Sequence, residues 1–372
     1  MRKLIALLCM GVLVLGWQTA AAQPETPAVI GPTLNSILSR GVVNCGVSAD
    51  FPGFGVVDPN SGLLNGFDVD FCRALAAALF GDATAVETIP LFSPTEGRAA
   101  LQDGQIDVLL QMAVVSLADD AADMEFAPVI FYSGQSFLTR ADSPVQDWPG
   151  LSSANICVVA GGSAEESLPA ALDLRGLSAI ISPLNNLSAA WDGLSNGRCD
   201  AISADLTSLT LLQQQADDST AYGVWQRADQ IYTREPFAPL LRAGDDQWAN
   251  IVRWTILGLI QAEQLGISSE TVTTLKRGKV PNPQDATQPF DEVDADYLNR
   301  VGWSVARVLD TSLGMGAQLG LANGFMQSVV EQVGNYGEIY ARNLGSQSPL
   351  PIARTLNALA TTGGLIYAPD WR

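Results

Sequence analysis

Histidine is absent from this chain, and lysine occurs three times, at positions 3, 276 and 279. The absence of histidine removes the commonest general base and the commonest metal ligand of proteins. No two cysteines are separated by two residues, so the C-x-x-C motif of many zinc and redox sites is missing. We therefore expect neither a metal nor a cofactor.

Long apolar runs are also missing, apart from one at the N-terminus. Arg2 and Lys3 precede an apolar stretch at 4–17, and alanines 20–22 follow as a small-residue cleavage site. This order is typical of a secretory signal peptide, and the run is shorter than the roughly 20 residues that span a bilayer. We predict that residues 1–22 are removed on export to the periplasm, leaving Gln23 first. The alternative is an uncleaved anchor.

Positive charge is scarce in the whole chain, whose formal net charge is −19. Removal of residues 1–22 takes away two basic residues and no acidic ones, so the net charge becomes −21. Such a surface repels nucleic acid and anionic membranes, and we expect neither as a partner. A hydrophobic content of 47% and about 350 mature residues indicate a folded chain of two domains.

Four cysteines remain after residues 1–22: Cys45, Cys72, Cys157 and Cys199. An even number in an exported protein favours disulfides, and four cysteines allow three connectivities. Cys45 ends a predicted strand and Cys72 lies in the next predicted helix, whereas Cys157 and Cys199 are predicted on later strands. We expect the local pairs Cys45–Cys72 and Cys157–Cys199.

Strand and helix patterns alternate along most of the chain. Phe67, Phe71, Leu75 and Leu79 repeat every four residues before Gly81, which predicts a helix over 67–80. The same reasoning predicts strands at 42–47, 85–91, 106–110, 156–159, 177–181 and 200–203, and helices at 96–102, 188–194, 206–215, 246–263 and through most of the C-terminal tail. This alternation predicts parallel sheets with helices on their faces.

Several motifs resemble a known family. The segment Gly66-Phe67-Asp68-Val69-Asp70 is similar to the G-F-D-[VI]-D motif of polar amino-acid-binding proteins of ABC importers, bacterial extracellular solute-binding protein family 3. The chain from about Thr33 to Arg372 resembles its general L-amino-acid-binding branch, through Asp245-Asp246-Gln247-Trp248, 251–254, 333–340, 356–359, 363–365 and the four cysteine positions.

The resemblance implies a type II periplasmic binding fold. In this fold two α/β lobes, each a mostly parallel sheet flanked by helices, are joined by two hinge crossovers and close on a ligand. Carried onto this chain, the first lobe comprises 34–137 plus 236–372, and the second comprises 138–235. The implied function is that of a monomeric receptor that delivers a small solute, an amino acid or a related amine, to the permease of an ABC importer.

A zwitterionic ligand needs a carboxylate for its ammonium and a cation or N–H donors for its own carboxylate. In the second lobe the resemblance assigns the first role to Asp205, which follows a predicted strand and opens a helix. Gly161, Gly162 and Ser163 open another helix, where free N–H groups and a hydroxyl can hold a carboxylate. Plain helix capping is the alternative for both segments.

The first lobe departs from the family pattern. Asp119 stands where the family has a carboxylate-binding arginine, and Met112, Ala113 and Val114 replace polar residues between Gln111 and Ser116. Two carboxylates facing one cleft repel each other. We therefore predict that ordinary amino acids bind weakly and that the ligand is more cationic or lacks a free carboxylate.

Arg98, on an adjacent predicted helix, is either a solvated residue or a replacement cation that reaches into the cleft, pairs with Asp119 and restores a site for a ligand carboxylate. Phe51 and Phe54 flank a Pro-Gly turn at the lip of the cleft, where aromatics contact the ligand side chain in the family. A core role is the alternative for Phe54.

Two other classes of function remain. Some dehydratases and peptidoglycan-cleaving lyases share the bilobed fold, but an enzyme needs a general acid or base in the cleft. The candidates, Glu165, Asp119 and Asp205, lie in no catalytic motif, so we expect a receptor and no enzyme. A diverged paralogue that binds a partner protein, or has lost ligand binding, is the third possibility.

Overall fold

The structure is a computed structural model that describes residues 30–58, 61–111, 113–275, 281–282, 285–289, 302, 304–305, 307–309 and 315–371. The predicted signal peptide, Gln23 and Met112 lie outside the described residues. No helix in the described part of the chain combines the length and the apolar character of a membrane span.

Helices and strands alternate as the sequence predicts. The helices whose bounds the structure describes are α1 (Pro32–Arg40), α2 (Phe67–Phe80), α3 (Pro94–Gln102), α4 (Leu117–Asp120), α5 (Ser163–Asp173), α6 (Leu187–Ser195), α7 (Leu206–Gln215), α8 (Asp246–Gln264), α9 (Val272–Leu275), α10 (Phe325–Val333) and α11 (Tyr336–Leu344).

The strands are short. They are β1 (Val43–Ser48), β2 (Asp50–Phe51), β3 (Gly55–Val57), β4 (Leu64–Asn65), β5 (Val86–Leu91), β6 (Val108–Leu110), β7 (Met124–Phe126), β8 (Phe131–Ser133), β9 (Gln135–Arg140), β10 (Asn155–Val159), β11 (Ile180–Leu184), β12 (Ala201–Asp205), β13 (Tyr222–Val224), β14 (Glu235–Phe237), β15 (Leu240–Arg242), β16 (Pro281–Asn282) and β17 (Asp285–Pro289). The central strands of the two large sheets, such as β1, β6, β10 and β12, are largely buried.

Two five-stranded sheets form the framework, with strand orders β5-β1-β6-β15-β7 and β11-β10-β12-β9-β13. In the first sheet β1 pairs in parallel with β5 and β6, and β15 is antiparallel to its neighbours β6 and β7. In the second sheet β10 pairs in parallel with β11 and β12, and β9 is antiparallel to β12 and β13. Each sheet is therefore mixed, with two parallel and two antiparallel pairings, and the predicted α/β fold class is confirmed.

The chain passes between the two sheets twice, through two strands that pair with each other. β8 and β14 form an antiparallel ribbon in which Ser133 lies opposite Glu235. Directly after this ribbon, β9 enters the second sheet and β15 enters the first. In each sheet, the strand that is antiparallel to its neighbours is therefore the one that the chain forms directly after it crosses from the other sheet.

Both predicted disulfides are present. Cys45 on β1 is bonded to Cys72 on α2, with a Cα–Cα distance of 6.0 Å, and Cys157 on β10 is bonded to Cys199, with a Cα–Cα distance of 5.9 Å. Cys199 itself was predicted on a strand, which is wrong: it lies in the loop between α6 and β12. We call each five-stranded sheet, with the helices and loops packed on it, a sheet unit; the first contains β1 and the second contains β10. Each disulfide joins a strand to another element of the same sheet unit.

The G-F-D-V-D segment is explained by packing. Gly66 has a φ of 147°, and a side chain there would meet the Phe54 carbonyl oxygen at 2.1 Å, so the position requires glycine. Phe67 is fully buried and contacts Phe54, Phe71 and Phe131 edge to face. These contacts anchor the start of α2 in the core of the first sheet unit.

The last residue of that motif is a structural anchor. Asp70 is buried and accepts hydrogen bonds from Arg73, Arg342 and Asn343. Arg342 and Asn343 lie on α11, so this carboxylate joins the C-terminal part of the chain to α2.

The expectation of a mostly helical C-terminal tail is wrong for its last part. After α11, residues 345–371 contain one short 3₁₀ turn, Ala360–Thr362, and no α-helix. Pro349 and Pro351 interrupt any helix there, because proline lacks a donor N–H and clashes with the preceding turn.

Candidate ligand-binding site

The predicted site residues lie at the carboxyl ends of strands, next to the crossover ribbon. Asp205 ends β12 and pairs with Gln135, the first residue of β9. On the first sheet unit, the chain after β6 pairs with the other crossover, where Val114 bridges to Phe237 and Val115 donates its N–H to the Pro236 carbonyl. In α/β folds, ligands bind outside the carboxyl ends of parallel strands. These two edges therefore form the candidate site.

Asp205 caps a helix and also faces the crossover. Its Oδ1 accepts the backbone N–H of Thr207 at 2.9 Å and of Ser208 at 3.4 Å, which is N-capping of α7. Its Oδ2 accepts the Ser133 hydroxyl from the crossover strand. Because a carboxylate has about four acceptor positions, Oδ2 retains capacity for a ligand donor.

A second carboxylate, which the sequence reasoning missed, lies beside Asp205. Glu235 begins the crossover strand β14, opposite Ser133, and its Oε1 accepts hydrogen bonds from Gln135 Nε2 at 2.9 Å and from Thr233 Oγ1 at 3.3 Å. Burial raises the pKa of the Glu235 carboxyl, and the negative charge of Asp205 adds to the increase. The sequence feature that could have identified Glu235 was an acidic residue next to Pro236, at the predicted boundary between the two lobes.

Neither of these carboxylates forms an ion pair with an arginine or lysine of the described chain. The cation nearest in sequence is Arg234, and its guanidinium donates to the backbone carbonyls of Ala228, Ile231 and Thr233. Glu235 on the crossover and Asp205 beside it are therefore two acidic groups without an arginine or lysine partner among the described residues.

Arg98 and Asp119 form a bidentate ion pair in the first sheet unit. Arg98 Nε lies 2.6 Å from Asp119 Oδ1, and Arg98 Nη2 lies 2.7 Å from Asp119 Oδ2. Hydrogen bonding from Arg98 lowers the pKa of the Asp119 carboxyl, and the same bond raises the pKa of Arg98. Of the two roles left open for Arg98, the structure shows pairing with Asp119. The repulsion between two cleft carboxylates, from which a more cationic or carboxylate-free ligand was predicted, therefore does not apply to Asp119.

Ser116 and Gln111 support this region. Ser116 is the N-cap of α4, and its hydroxyl donates to Asp119 Oδ2 at 2.7 Å. Gln111 Nε2 donates to the Leu91 carbonyl at 3.2 Å, which joins the end of β6 to the end of β5. The Gln111 bond holds the loop after β6 against the end of β5, and the Ser116 bond fixes the start of α4.

The N-terminus of α5 is occupied by a carboxylate of the chain itself. Gly161, with a φ of 72°, donates its N–H to Glu165 Oε2 at 2.6 Å. Gly162 donates its N–H to the Val159 carbonyl at 3.0 Å, and Ser163 is the first residue of the helix. Two of the predicted carboxylate donors are thus already engaged.

The two aromatic residues predicted at the lip of the cleft differ in burial and in role. Phe54 is 1% exposed and packs edge to face on Phe131 in the core, which is the alternative role considered for it. Phe51 is half-buried on β2, directly after β1, and contacts Phe54 with a centroid distance of 5.7 Å. Phe51 therefore remains at the edge of the site.

Four large apolar side chains are exposed on the loops that follow β5 and β6. Phe92 is 68% exposed, Val114 40%, Val115 39% and Leu117 84%. Exposed apolar clusters of this kind mark binding surfaces more often than scattered single residues do. We call these four residues the apolar wall.

No group of three or more cysteine, aspartate and glutamate side chains in the described part of the chain is arranged to hold a metal ion.

Comparison with known proteins connects this geometry to a family. A model of the bacterial extracellular solute-binding proteins, family 3, matches residues 43–271. A protein of Rhizobium johnstonii named "General L-amino acid-binding periplasmic protein AapJ" is 38% identical over 352 residues, which are 93% of this chain and 94% of that protein.

Two further proteins are similar over nearly the full length. A Rhodobacter capsulatus protein named "Glutamate/glutamine/aspartate/asparagine-binding protein BztA" is 30% identical over 93% of this chain and 95% of its own. A solved structure of an ABC transporter periplasmic binding protein from Brucella ovis with glutathione bound is 32% identical. It superposes with a TM-score of 0.67 and covers 91% of this chain and 98% of its own.

Proposed function

The chain belongs to family 3 of the bacterial extracellular solute-binding proteins, and from this premise we propose that it is the periplasmic receptor of an ABC importer. Its fold is that of the type II periplasmic binding proteins. The receptor captures an amino acid or a related small amine between its two lobes and delivers it to the membrane permease.

Asp205 carries this proposal. It ends a strand of the second sheet, bonds to the crossover through Ser133 and has no arginine or lysine partner in the described chain. A carboxylate in this position is suited to a ligand ammonium, because the charge-assisted hydrogen bond is stronger than a neutral one. The named ligands of the relatives, amino acids and glutathione, all contain an amino group.

We propose two lobes with boundaries close to those predicted. The predicted division, 34–137 plus 236–372 and 138–235, cuts through β9 and β14. Because all residues of β9 pair in the second sheet, we assign 135–234 to the second lobe and the remainder to the first. The ribbon of β8 and β14 is then the hinge.

Export, oligomeric state and the absence of catalysis complete the proposal. The periplasmic names of the relatives and the pattern at 1–22 support export with cleavage before Gln23. A receptor of this kind works as a monomer and releases its ligand unchanged, so we propose no enzymatic activity.

A thermal-shift screen of the mature protein against amino acids, small amines and glutathione tests this function. A ligand that binds the native state raises the melting temperature. We expect a shift with at least one ligand that carries an amino group, and loss of that shift in Asp205→Asn. Asp218→Asn, a change of an exposed turn cap in the same lobe, is the control. The absence of any shift across the panel would contradict the receptor function.

A further inference from the structure

The donor groups that a ligand carboxylate would need are occupied by the chain itself. Arg98 donates from all three guanidinium nitrogens, from Nε and Nη2 to Asp119 and from Nη1 to the Pro94 carbonyl at 3.3 Å. At the N-terminus of α5, the Gly161 N–H is held by Glu165. In both lobes an internal carboxylate therefore engages donors that a ligand carboxylate could otherwise use: Asp119, together with the Pro94 carbonyl, takes three of the five N–H groups of Arg98, and Glu165 takes the N–H of Gly161.

The groups that bind a cation show the opposite arrangement. Asp205 and Glu235 flank the crossover, and Gln135 bonds to Glu235 while pairing with Asp205 in the sheet. The described residues give neither carboxylate an arginine or lysine partner. A single cation placed between the lobes would compensate both charges.

The apolar wall indicates the chemical character of the uncharged part of the ligand. Val114 and Val115 are bonded to Phe237 and Pro236 of the crossover, so they lie next to Glu235. Leu117 and Phe92 continue this surface outward through the bonds that join the two loops, Gln111 to Leu91 and Arg98 to Asp119. Removal of these apolar side chains from water against an apolar part of the ligand is favourable. A polar part of the ligand in the same place would itself lose water and find no hydrogen-bond partner on the apolar wall.

Taking these observations together, we infer that the ligand is an organic amine with an apolar body and no free carboxylate. This inference rests on the proposed receptor function and specifies its substrate class. The cation meets Asp205 and Glu235, and the hydrocarbon meets the apolar wall. The mature net charge of −21 also favours the approach of a cation.

Calorimetry with ligands that share a carbon skeleton tests the inference. The set comprises leucine with isoamylamine and 4-methylpentanoate, phenylalanine with phenethylamine, and tryptophan with tryptamine. We expect at least one amine to bind tenfold or more tightly than its amino acid, and the carboxylic acid to give no binding. An amino acid that binds as tightly as its amine, or more tightly, would overturn the inference and leave the receptor function intact. If no amine and no amino acid binds, both fail.

Two leucines of equal exposure provide a matched test of the apolar wall. Leu117 and Leu174 are each 84% exposed, but Leu174 follows α5 in the second lobe, away from the loops after β5 and β6. We expect Leu117→Gln to weaken amine binding by about fivefold or more, because an apolar contact is lost, and Leu174→Gln to leave it unchanged. Equal effects of the two substitutions on amine affinity would show that the apolar wall does not contact the ligand.

Release of the internal carboxylates gives a gain-of-binding test. The double variant Asp119→Asn with Glu165→Gln removes both internal negative charges and weakens their hold on Arg98 and the Gly161 N–H, while preserving side-chain size. We expect the affinity for the amino acid to rise relative to that for its amine. If the ratio of the two affinities stays at its wild-type value in a folded double variant, the internal carboxylates do not exclude the ligand carboxylate.

Discussion

At the scale of single residues, charges in this protein are arranged in two ways. Arg98 and Asp119 compensate each other through two short hydrogen bonds, whereas Asp205 and Glu235 share the crossover without an arginine or lysine partner in the described chain. The first arrangement contributes to stability. The second is available to a ligand, because a buried or half-buried charge is favourable only when it is compensated.

The ion pair predicts a pH-dependent stability. The pKa of Asp119 is lowered in the folded state, so its contribution is present above the ordinary aspartate pKa of about 3.9 and is lost as the pH falls through the lowered folded value. We expect Asp119→Asn to reduce the free energy of unfolding by about 1–3 kcal/mol at pH 7. The difference from wild type should shrink below about pH 4.

Denaturant unfolding of both proteins at several pH values measures this difference. The adjacent Asp120 is exposed, so Asp120→Asn serves as the control and should change stability little. A loss in Asp119→Asn that stays constant down to pH 3 would show that the ionised carboxylate is not what stabilises the fold.

Glu235 predicts a pH-dependent affinity. Its pKa is raised by burial and by Asp205, and a bound cation favours the ionised form, so amine binding should weaken as the pH falls from neutrality. We expect Glu235→Gln to bind more weakly at pH 7.5 and to show a shallower pH dependence than wild type. Calorimetry of both proteins from pH 7.5 downward measures this difference. If the affinities of wild type and Glu235→Gln change with pH in parallel, Glu235 does not face the ligand.

At the scale of elements, one side chain caps two helices. Asp245 is buried, its Oδ1 accepts the Trp248 N–H of α8 at 3.0 Å, and its Oδ2 accepts the Leu34 N–H of α1 at 3.0 Å. This double role explains the Asp245-Asp246-Gln247-Trp248 motif. It also joins two segments that are 211 residues apart in sequence.

We expect Asp245→Ala to destabilise the protein by about 1–3 kcal/mol, because a single N-cap contributes about 1 kcal/mol and two helices lose theirs here. Thermal unfolding followed by circular dichroism measures the loss. Asp246→Ala, which changes the next residue without removing the cap, should have a smaller effect. Equal losses in the two variants would contradict the double cap.

The elements with clear local signals were predicted from sequence. The helices Phe67–Phe80 and Leu206–Gln215 have the predicted bounds, because apolar periodicity and a glycine or aspartate at one end define them locally. The strand predicted at 177–181 is observed at Ile180–Leu184. Pro183 lies inside the observed strand, where it is tolerated because β11 is an edge strand.

The site was predicted in part. Asp205 and Ser116 were assigned through the family resemblance, and the glycines at 161 and 162 follow a predicted strand; the structure places Asp205 and these glycines at the ends of β12 and β10, and their ligand contacts stay predictions. The pairing of Arg98 with Asp119 and the position of Glu235 beside Asp205 depend on how separate elements pack. No periodicity or spacing in the sequence encodes those two contacts.

At the scale of the whole molecule, the C-terminal segment bonds to the crossover strand β8 and to a loop that follows the second sheet. Asn357 donates to the Tyr132 carbonyl at 2.9 Å and accepts the Tyr132 N–H at 2.6 Å. Ala353 donates its N–H to Gln226 Oε1 at 2.8 Å, which lies after the last strand of the second sheet. In the proposed division into lobes, the tail of the first lobe is therefore bonded to the hinge ribbon and to the second lobe.

Hinge closure predicts a change of shape. If a ligand binds between the lobes, its contacts with both of them favour the closed state, and the molecule becomes more compact. We expect small-angle scattering of the mature protein to show a smaller radius of gyration with saturating ligand than without it. An unchanged radius with a confirmed ligand would place binding on one lobe alone.

The central claim is that this chain binds one small amino-bearing solute and does not transform it. Equilibrium dialysis of the mature protein with the ligand found by thermal shift, followed by mass spectrometry of the recovered ligand, tests it most directly. We predict one ligand per chain, recovered chemically unchanged after prolonged incubation, with binding abolished in Asp205→Asn. Recovery of a product, or binding at full stoichiometry in Asp205→Asn, would contradict the account.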